Sequence, residues 1–324
     1  MTKAIRIHQT GGPDVLRWED VPTPEPGAGE ALVRHQAVGL NFVDVYFRSG
    51  LYKAPNLPFT PGMEGAGTVL AVGAGVNGLA PGDRVAYGTG AMGAYATERV
   101  IAADRLLKLP KTISFVTAAA MMLAGMTAQY LLRRTYVVKR GDTILVHAAA
   151  GGVGLIVCQW AKHLGARVIG VVSTPEKAAL ARANGADHAL IGHTDLAAEV
   201  KKITDGAMVP VVYDSVGKDT FMASLDCLAP LGMMVSFGNA SGPVPPFEIS
   251  ILTAKGSLFL TRPTLATYAA KRVDLERTTA ELFSVVESGA VKIRVNQTFP
   301  LAEAAGAHRA LEARQTTGST VLVP

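Results

Sequence analysis

The run His147-Ala-Ala-Ala-Gly-Gly-Val-Gly154 decides the fold. It follows an apolar, β-branched stretch, residues 143–146. It precedes residues 155–164, which read as a helix that Gly165 ends. Ala149, Gly151 and Gly154 occupy the three places of a G-x-G-x-x-G spacing, with alanine in the first. Small residues are needed there because the chain turns tightly, its backbone must approach a pyrophosphate, and helix must pack closely on strand. The helix N-terminus then offers N–H groups and the positive end of its dipole. Such a spacing alone also fits an ordinary strand-to-helix turn. The strand before it, the helix after it and a second apolar run at 167–172 together select a dinucleotide site.

Outward from this unit the rhythm continues. Residues 175–183 read as a helix with Pro175 in its first turn. Apolar runs follow at 189–191, 209–214, 233–237 and 257–260, with helical spacers between most of them. Strands alternating with helices predict an α/β, doubly wound parallel sheet. Gly151, Gly152 and Val153 are expected at the pyrophosphate. The second strand ends Val171-Val172-Ser173 with no carboxylate for a ribose 2′-hydroxyl, and Lys177 follows one helical turn later. A hydroxyl and an ammonium suit a 2′-phosphate, so NADPH is expected over NADH. Glu176 is adjacent, but on a helix it points about 100° away from Lys177.

The first third differs. Short apolar or alternating runs at 4–8, 30–37, 67–72 and 83–87 are punctuated by Pro22, Pro24, Pro26, Pro61 and Pro81, which predicts a partly antiparallel β domain. The last sixty residues return to mixed character, with helices expected at 273–288 and 302–313. A doubly wound domain, 125–263, therefore sits inside an outer domain formed by 1–124 and 264–324.

Composition narrows the class. The chain has 324 residues, 49% hydrophobic and 18% charged, which excludes a disordered chain. Its net charge is +5, yet Lys and Arg are scattered, so nucleic acid is not an expected partner. Two distant cysteines, Cys158 and Cys227, exclude a disulfide scaffold and fit a reducing compartment. Residues 1–9 lack the apolar core of an export signal, and a cytoplasmic location is expected. Residues 112–132 and 143–161 are long and uncharged. The first reads as a buried helix and the second as strand, turn and helix, so no membrane span is expected.

With these residues in hand the chain resembles the medium-chain dehydrogenase/reductase superfamily, and within it the bacterial NADPH:quinone oxidoreductases related to zeta-crystallin. The matching stretches are Gly11-Gly-Pro-Asp-Val-Leu16, Gly39-Leu-Asn-Phe-Val-Asp-Val-Tyr46, Arg48-Ser-Gly-Leu-Tyr52 and Pro81-Gly-Asp-Arg-Val85. Further on are residues 147–154, Val212-Tyr-Asp-Ser-Val-Gly217, Phe237-Gly-Asn239 and Thr261-Arg-Pro263. The resemblance spans essentially the whole chain. It implies a GroES-like, mostly β catalytic domain, a Rossmann domain, a homodimer, and hydride transfer from NADPH to a quinone in the interdomain cleft. It also supplies a test of metal chemistry. Zinc members hold their ion with thiolate and imidazole ligands. Here the region of their first cysteine reads Gly39-Leu40-Asn41, their Gly-His-Glu reads Gly62-Met63-Glu64, and no cysteine precedes Cys158. No metal is expected, and reduction of an electrophilic acceptor is favoured over alcohol oxidation.

The resemblance assigns places. Asn41, Asp44, Tyr46 and Tyr52 line the substrate cleft, where an amide and two phenols suit a quinone oxygen that gains charge. A tyrosine, or water held by Asp44, relays the proton. Thr127 and Tyr130 fall near the nicotinamide, and backbone groups of Phe259, Thr261 and Arg262 are expected at its carboxamide; Ser215, Phe237 and Gly238 lie at carboxyl ends of parallel strands, where such sheets bind ligands. Ser173, Lys177, His193 and Arg314 surround the adenosine phosphate. His147 reads as a core histidine and Cys158 as inert. Two alternatives stay open: an NADPH-dependent enone or alkenal double-bond reductase, and an NADPH-binding RNA-binding protein.

Overall fold

Alternating side chains in the first third of the chain produce seven strands: β1 (Thr2–Ile7), β2 (Leu16–Val21), β3 (Glu30–Leu40), β4 (Gly65–Val72), β5 (Arg84–Tyr87), β6 (Glu98–Ala102) and β7 (Leu107–Lys108). Then come β8 (Thr143–His147), β9 (Arg167–Val172), β10 (His188–Ile191), β11 (Val209–Asp214), β12 (Leu228–Ser236), β13 (Phe259–Thr261), β14 (Val295–Pro300) and β15 (Ser319–Val323). The computed structural model describes residues 1–54, 56–192 and 194–324. Two compact units emerge. The first comprises Met1–Met126, Ala269–Phe283 and Ile293–Pro324, and the second Thr127–Tyr268 and Ser284–Lys292.

The first unit is built on the long strand β3. It pairs antiparallel with β4, with β6 and with the C-terminal β15. The seven-stranded sheet runs β14-β15-β3-β4-β5-β7, and β6 joins at β3. Along β3, Arg34 and Gln36 face outward while His35 and Ala37 are buried, the period-two pattern of a strand with one covered face. Ile5, Ile7, Val33, Val38, Val69, Val85, Tyr87, Tyr95 and Leu322 form its core. The C-terminal helix Ala304–Glu312 adds Ala304 and Ala307 to that core.

In the second unit six parallel strands follow the order β10-β9-β8-β11-β12-β13. Numbered within the unit this is 3-2-1-4-5-6, the doubly wound nucleotide-binding order, whose direction reverses between β8 and β11. Four of the five residues of β8 and five of the six of β9 are buried, as expected for strands covered on both faces. Ligands of such sheets bind outside the carboxyl ends of the strands at that reversal.

Residues 112–132 differ from the single helix expected there. They form two helices, Phe115–Ala119 and Met122–Tyr130, and then a wide π-helical turn, Leu131–Thr135. The reason lies at the second helix's start. Leu123 N–H donates to the Glu64 carboxylate at 2.6 Å, so a side chain from before β4 caps a fresh N-terminus there. Among the described residues no helix is long and apolar enough to cross a membrane.

Candidate active site

The glycine turn of the second unit leaves a bare helix end. Gly151 is the N-cap of the helix Gly152–His163, and among the described residues no side chain caps it. Gly152 and Val153 form its first turn and are only partly buried. Gly154 is forced: a Cβ there would lie 2.2 Å from the Ala148 carbonyl oxygen. The turn is tight enough to hold Ala148 itself at a φ of 51°.

The neighbouring strand end presents Ser173, exposed, and Lys177 in the first turn of the helix Pro175–Ala183. Thr174 caps that helix by accepting from Lys177 N–H at 3.3 Å. Glu176 is drawn to the Thr174 hydroxyl, which holds its carboxyl below the usual range. His193 lies outside the described residues. Arg314 is exposed, at a φ of 58°, and belongs to the first unit.

On the other side of the reversal, Asp214 shapes the loop that carries Ser215. Its Oδ1 accepts from Val216 N–H at 2.7 Å and Gly217 N–H at 3.1 Å. Its Oδ2 accepts from the Thr220 and Ser224 hydroxyls at 2.7 and 3.2 Å. Ser224 is in turn 2.9 Å from His147 Nε2, so His147 is a satisfied core histidine, as its sequence position suggests. Arg262 ties the next two strand ends together. It donates to the Ser236 and Gly238 carbonyls at 3.0 and 2.8 Å, which fixes Phe237 and Gly238 beside Thr261. Tyr130 is buried and stacks on Tyr268 with ring centroids 4.6 Å apart. Burial raises its phenol well above the ordinary value, while Arg262 and a hydrogen bond from Thr127 oppose the shift. Thr127, Tyr130, Gly238 and Arg262 are thereby linked within one unit.

The first unit gathers Asn41, Asp44, Tyr46 and Tyr52. Asn41 caps the helix Phe42–Ser49, and its backbone N–H donates to Asp44 Oδ2 at 2.9 Å. Its side-chain Nδ2 donates to Glu64 Oε1 at 2.5 Å. Tyr46 packs on Tyr52 at 5.1 Å between centroids, and Tyr52 meets Phe47 edge-on at 5.6 Å. Tyr52 N–H donates to the Tyr46 carbonyl at 3.0 Å, which brings the chain back over the helix end. Burial pushes the Asp44 carboxyl up to about 7 against hydrogen bonds from Asn41 and Tyr95, and pushes Glu64 up to about 8 against those from Asn41 and Leu123.

Gly39 shows why this cluster is built without a side chain at its centre. A Cβ there would sit 2.3 Å from both Glu64 Oε1 and the Ala119 carbonyl oxygen. The residues present do not fit a zinc ion. Both oxygens of Glu64 already accept N–H bonds, Asn41 offers an amide, and position 63 is methionine. Cys158 and Cys227 are buried in the second unit, and burial pushes each thiol up to about 12.

Sequence reasoning places Arg262 at the end of the sixth strand but not the loops its side chain holds, and it missed several other shaping residues. Asp214 and Arg262 act through backbone groups of the loops they hold, and only their positions at strand ends carry a signal. Tyr95, Arg48, His308 and Glu312 lie outside the cleft-lining pattern. They meet Asp44 through contacts that span up to 264 residues of sequence.

The family described as zinc-binding dehydrogenase matches residues 152–273, and the one described as alcohol dehydrogenase GroES-like domain matches residues 27–111. A quinone oxidoreductase of Pseudomonas aeruginosa is 56% identical over all of both chains. The solved structure of Escherichia coli quinone oxidoreductase complexed with NADPH superposes with a TM-score of 0.97, at 48% identity and complete coverage of both chains. A 2-haloacrylate reductase of Burkholderia is 46% identical over 100% of this chain and 99% of its own. A GroES-like unit, a 3-2-1-4-5-6 parallel sheet and full-length identity of this order lead to one conclusion: the chain belongs to the quinone oxidoreductase family of the medium-chain dehydrogenase/reductase superfamily.

Proposed function

We propose that the protein is an NADPH-dependent quinone reductase that works without zinc. One observation carries the reading. The bare helix end at Gly151 adjoins, across one strand pair, a strand that ends in Ser173 rather than a carboxylate and is followed by Lys177, with the neighbouring Glu176 bonded to Thr174. A dinucleotide with a 2′-phosphate fits that pair of strand ends, because the helix end suits a pyrophosphate and Lys177 suits a phosphomonoester. Gly151, Gly152 and Val153 hold the pyrophosphate. Ser173 and Lys177 hold the adenosine phosphate. Thr127, Tyr130, Ser215, Phe237, Gly238, Phe259 and Thr261 position the nicotinamide end.

When bound, NADPH supplies the hydride. The chain's own part is positioning and charge stabilisation. Asn41 Nδ2 has a second N–H beyond the one given to Glu64, and it donates to the acceptor oxygen as that oxygen gains charge. Tyr46 and Tyr52 flank the acceptor with paired aromatic faces and phenols. The homology to quinone oxidoreductases supports a quinone as acceptor.

The 2-haloacrylate reductase relative favours one second reading, reduction of an activated carbon–carbon double bond. Nicotinamide absorbance separates the two. The protein is offered NADPH with a benzoquinone, an enone and 2-chloroacrylate in turn. Rapid oxidation by the quinone is expected. Turnover with the unsaturated acids alone transfers the assignment to the second reading.

We also propose a cytoplasmic homodimer. β13 is the edge strand of its sheet, and Phe259 and Leu260 on it are 57% and 38% exposed. An apolar sheet edge of this kind pairs with a second copy. Light scattering is expected to give a dimer mass that falls to the monomer in Leu260→Lys. A monomer mass for the parent protein contradicts the proposal.

A further inference from the structure

Asp44 is fully buried, and its two oxygens are treated differently. Oδ2 accepts from Asn41 N–H at 2.9 Å and from the Tyr95 hydroxyl at 3.2 Å, whereas Oδ1 has no hydrogen-bond partner among the described residues. Behind Tyr95 the bonds continue. Its Oη lies 3.1 Å from His308 Nε2, and His308 Nδ1 lies 3.3 Å from Arg48 Nη1. Arg48 is buried. It donates to both oxygens of Glu312 at 2.8 and 2.7 Å, and through Nε to the Gly11 carbonyl at 3.1 Å.

The direction of every bond in this chain is determined. A guanidinium only donates, so His308 Nδ1 must accept. The imidazole proton then sits on Nε2 and is given to Tyr95 Oη. Tyr95 in turn spends its own proton on Asp44. Burial, with Arg48 adding to it, holds His308 down to about 3, so the ring stays neutral and the tautomer persists. All of the donors therefore point toward the carboxyl, and they favour its charged form against burial. Glu64 works the other way. Bonded to Asn41, it is a second buried carboxyl whose proton affinity is raised by Asp44. Tyr95, Glu64, Arg48 and His308 are the titratable and charged groups that face Asp44, directly or through one neighbour.

We propose that Tyr95 and His308 are positioning residues that set the pH at which Asp44 changes charge, and that the charge on Asp44 governs turnover at Asn41. A carboxylate 2.9 Å from the Asn41 backbone N–H places negative charge beside the amide that meets the developing oxyanion, and like charges there raise the barrier. Neutral Asp44 is thus the productive form, and activity declines as it ionises. The helix Ala304–Glu312 controls this from behind, through His308. The inference rests on the reading of Asn41 as an acceptor contact.

The test has two arms. In the first, kcat/KM for quinone is measured from pH 5 to 9 for the parent protein, Tyr95→Phe, His308→Gln and His308→Leu. Tyr95→Phe removes the donor to Asp44, so the alkaline limb is expected to move up by about one pH unit. His308→Leu moves it in the same direction, and His308→Gln, which keeps an N–H donor, restores much of the parent profile. A purely structural role lowers rates at every pH and leaves the limb in place, which overturns the proposal. In an Asp44→Asn background Tyr95→Phe is expected to produce no further shift, and a full shift there also overturns it. The second arm needs no turnover. Aspartate carboxyl carbons are labelled with 13C, the Asp44 signal is assigned by its loss in Asp44→Asn, and its titration is followed in the parent and in Tyr95→Phe. A higher midpoint in Tyr95→Phe is expected even if the parent does not reduce quinones, and an unchanged midpoint overturns the proposal whatever the acceptor.

Discussion

Asn41 Nδ2 and Glu64 Oε1 are 2.5 Å apart, and the second oxygen of Glu64 takes the N–H of Leu123 at 2.6 Å. One carboxyl thus orients the amide proposed to meet the acceptor and starts the helix Met122–Tyr130. Glu64→Leu removes both acceptors and leaves two donors stranded. It is expected to lower stability by about 2–4 kcal/mol, since each unsatisfied buried group costs about 1–3 kcal/mol. Chemical denaturation measures it. Glu64→Gln is expected to fold nearly as well and to lose kcat/KM through a misoriented Asn41.

Stability of the first unit should depend on pH with a computable sign. His35 and His308 are held down to about 4 and about 3, each chiefly by burial. An unfolded chain binds their protons up to about pH 6.5, so they contribute stability that is lost as pH falls from there. Asp44 and Glu64 are raised to about 7 and about 8, again by burial. Their folded forms hold protons that the unfolded chain has released, so stability falls as pH rises toward 8. Between about pH 6.5 and 8 the carboxyls outweigh the fading contribution of the histidines. The denaturant midpoint is therefore expected to decline across that window, and the decline is expected to shrink in Asp44→Asn. A midpoint that rises there contradicts the signs.

Lys177 stands in the first turn of the helix Pro175–Ala183. Lys177→Glu sets a carboxylate against the 2′-phosphate and is expected to raise the NADPH dissociation constant by about tenfold or more, one to two charge-assisted contacts. NADH binding is expected to change little. Fluorescence titration with both cofactors measures the contrast, and equal losses remove Lys177 from the phosphate site.

Gly154→Ala forces a methyl group to within 2.2 Å of the Ala148 carbonyl. The turn must open, which displaces the helix end from the pyrophosphate position. Cofactor affinity is expected to fall by at least tenfold, with far-ultraviolet dichroism showing a folded chain. Normal affinity contradicts the placement of the pyrophosphate.

Much of this was legible in the residues. The strand–glycine–helix run around 147–154 predicts β8, the helix after it and a parallel sheet, because burial on both faces leaves continuous apolar runs, whereas the strand order is seen only in the structure. The strands 167–172 and 209–214 coincide with β9 and β11 for the same reason. Residues 112–132 read as one helix because composition reports burial but not where a distant carboxylate interrupts the backbone ladder, as Glu64 does at Leu123. The chain from Asp44 to Glu312 was invisible for a related cause. Tyr95 and His308 are 213 residues apart, and no local period marks a tyrosine or histidine that meets its partner only after β15 has paired with β3.

The most direct test measures NADPH oxidation by a simple benzoquinone, beside NADH, before and after exhaustive chelation. The account predicts fast turnover with NADPH, much slower turnover with NADH, and rates unchanged by chelation. Equal use of the two cofactors, or activity lost with the chelator and restored by zinc, would contradict it.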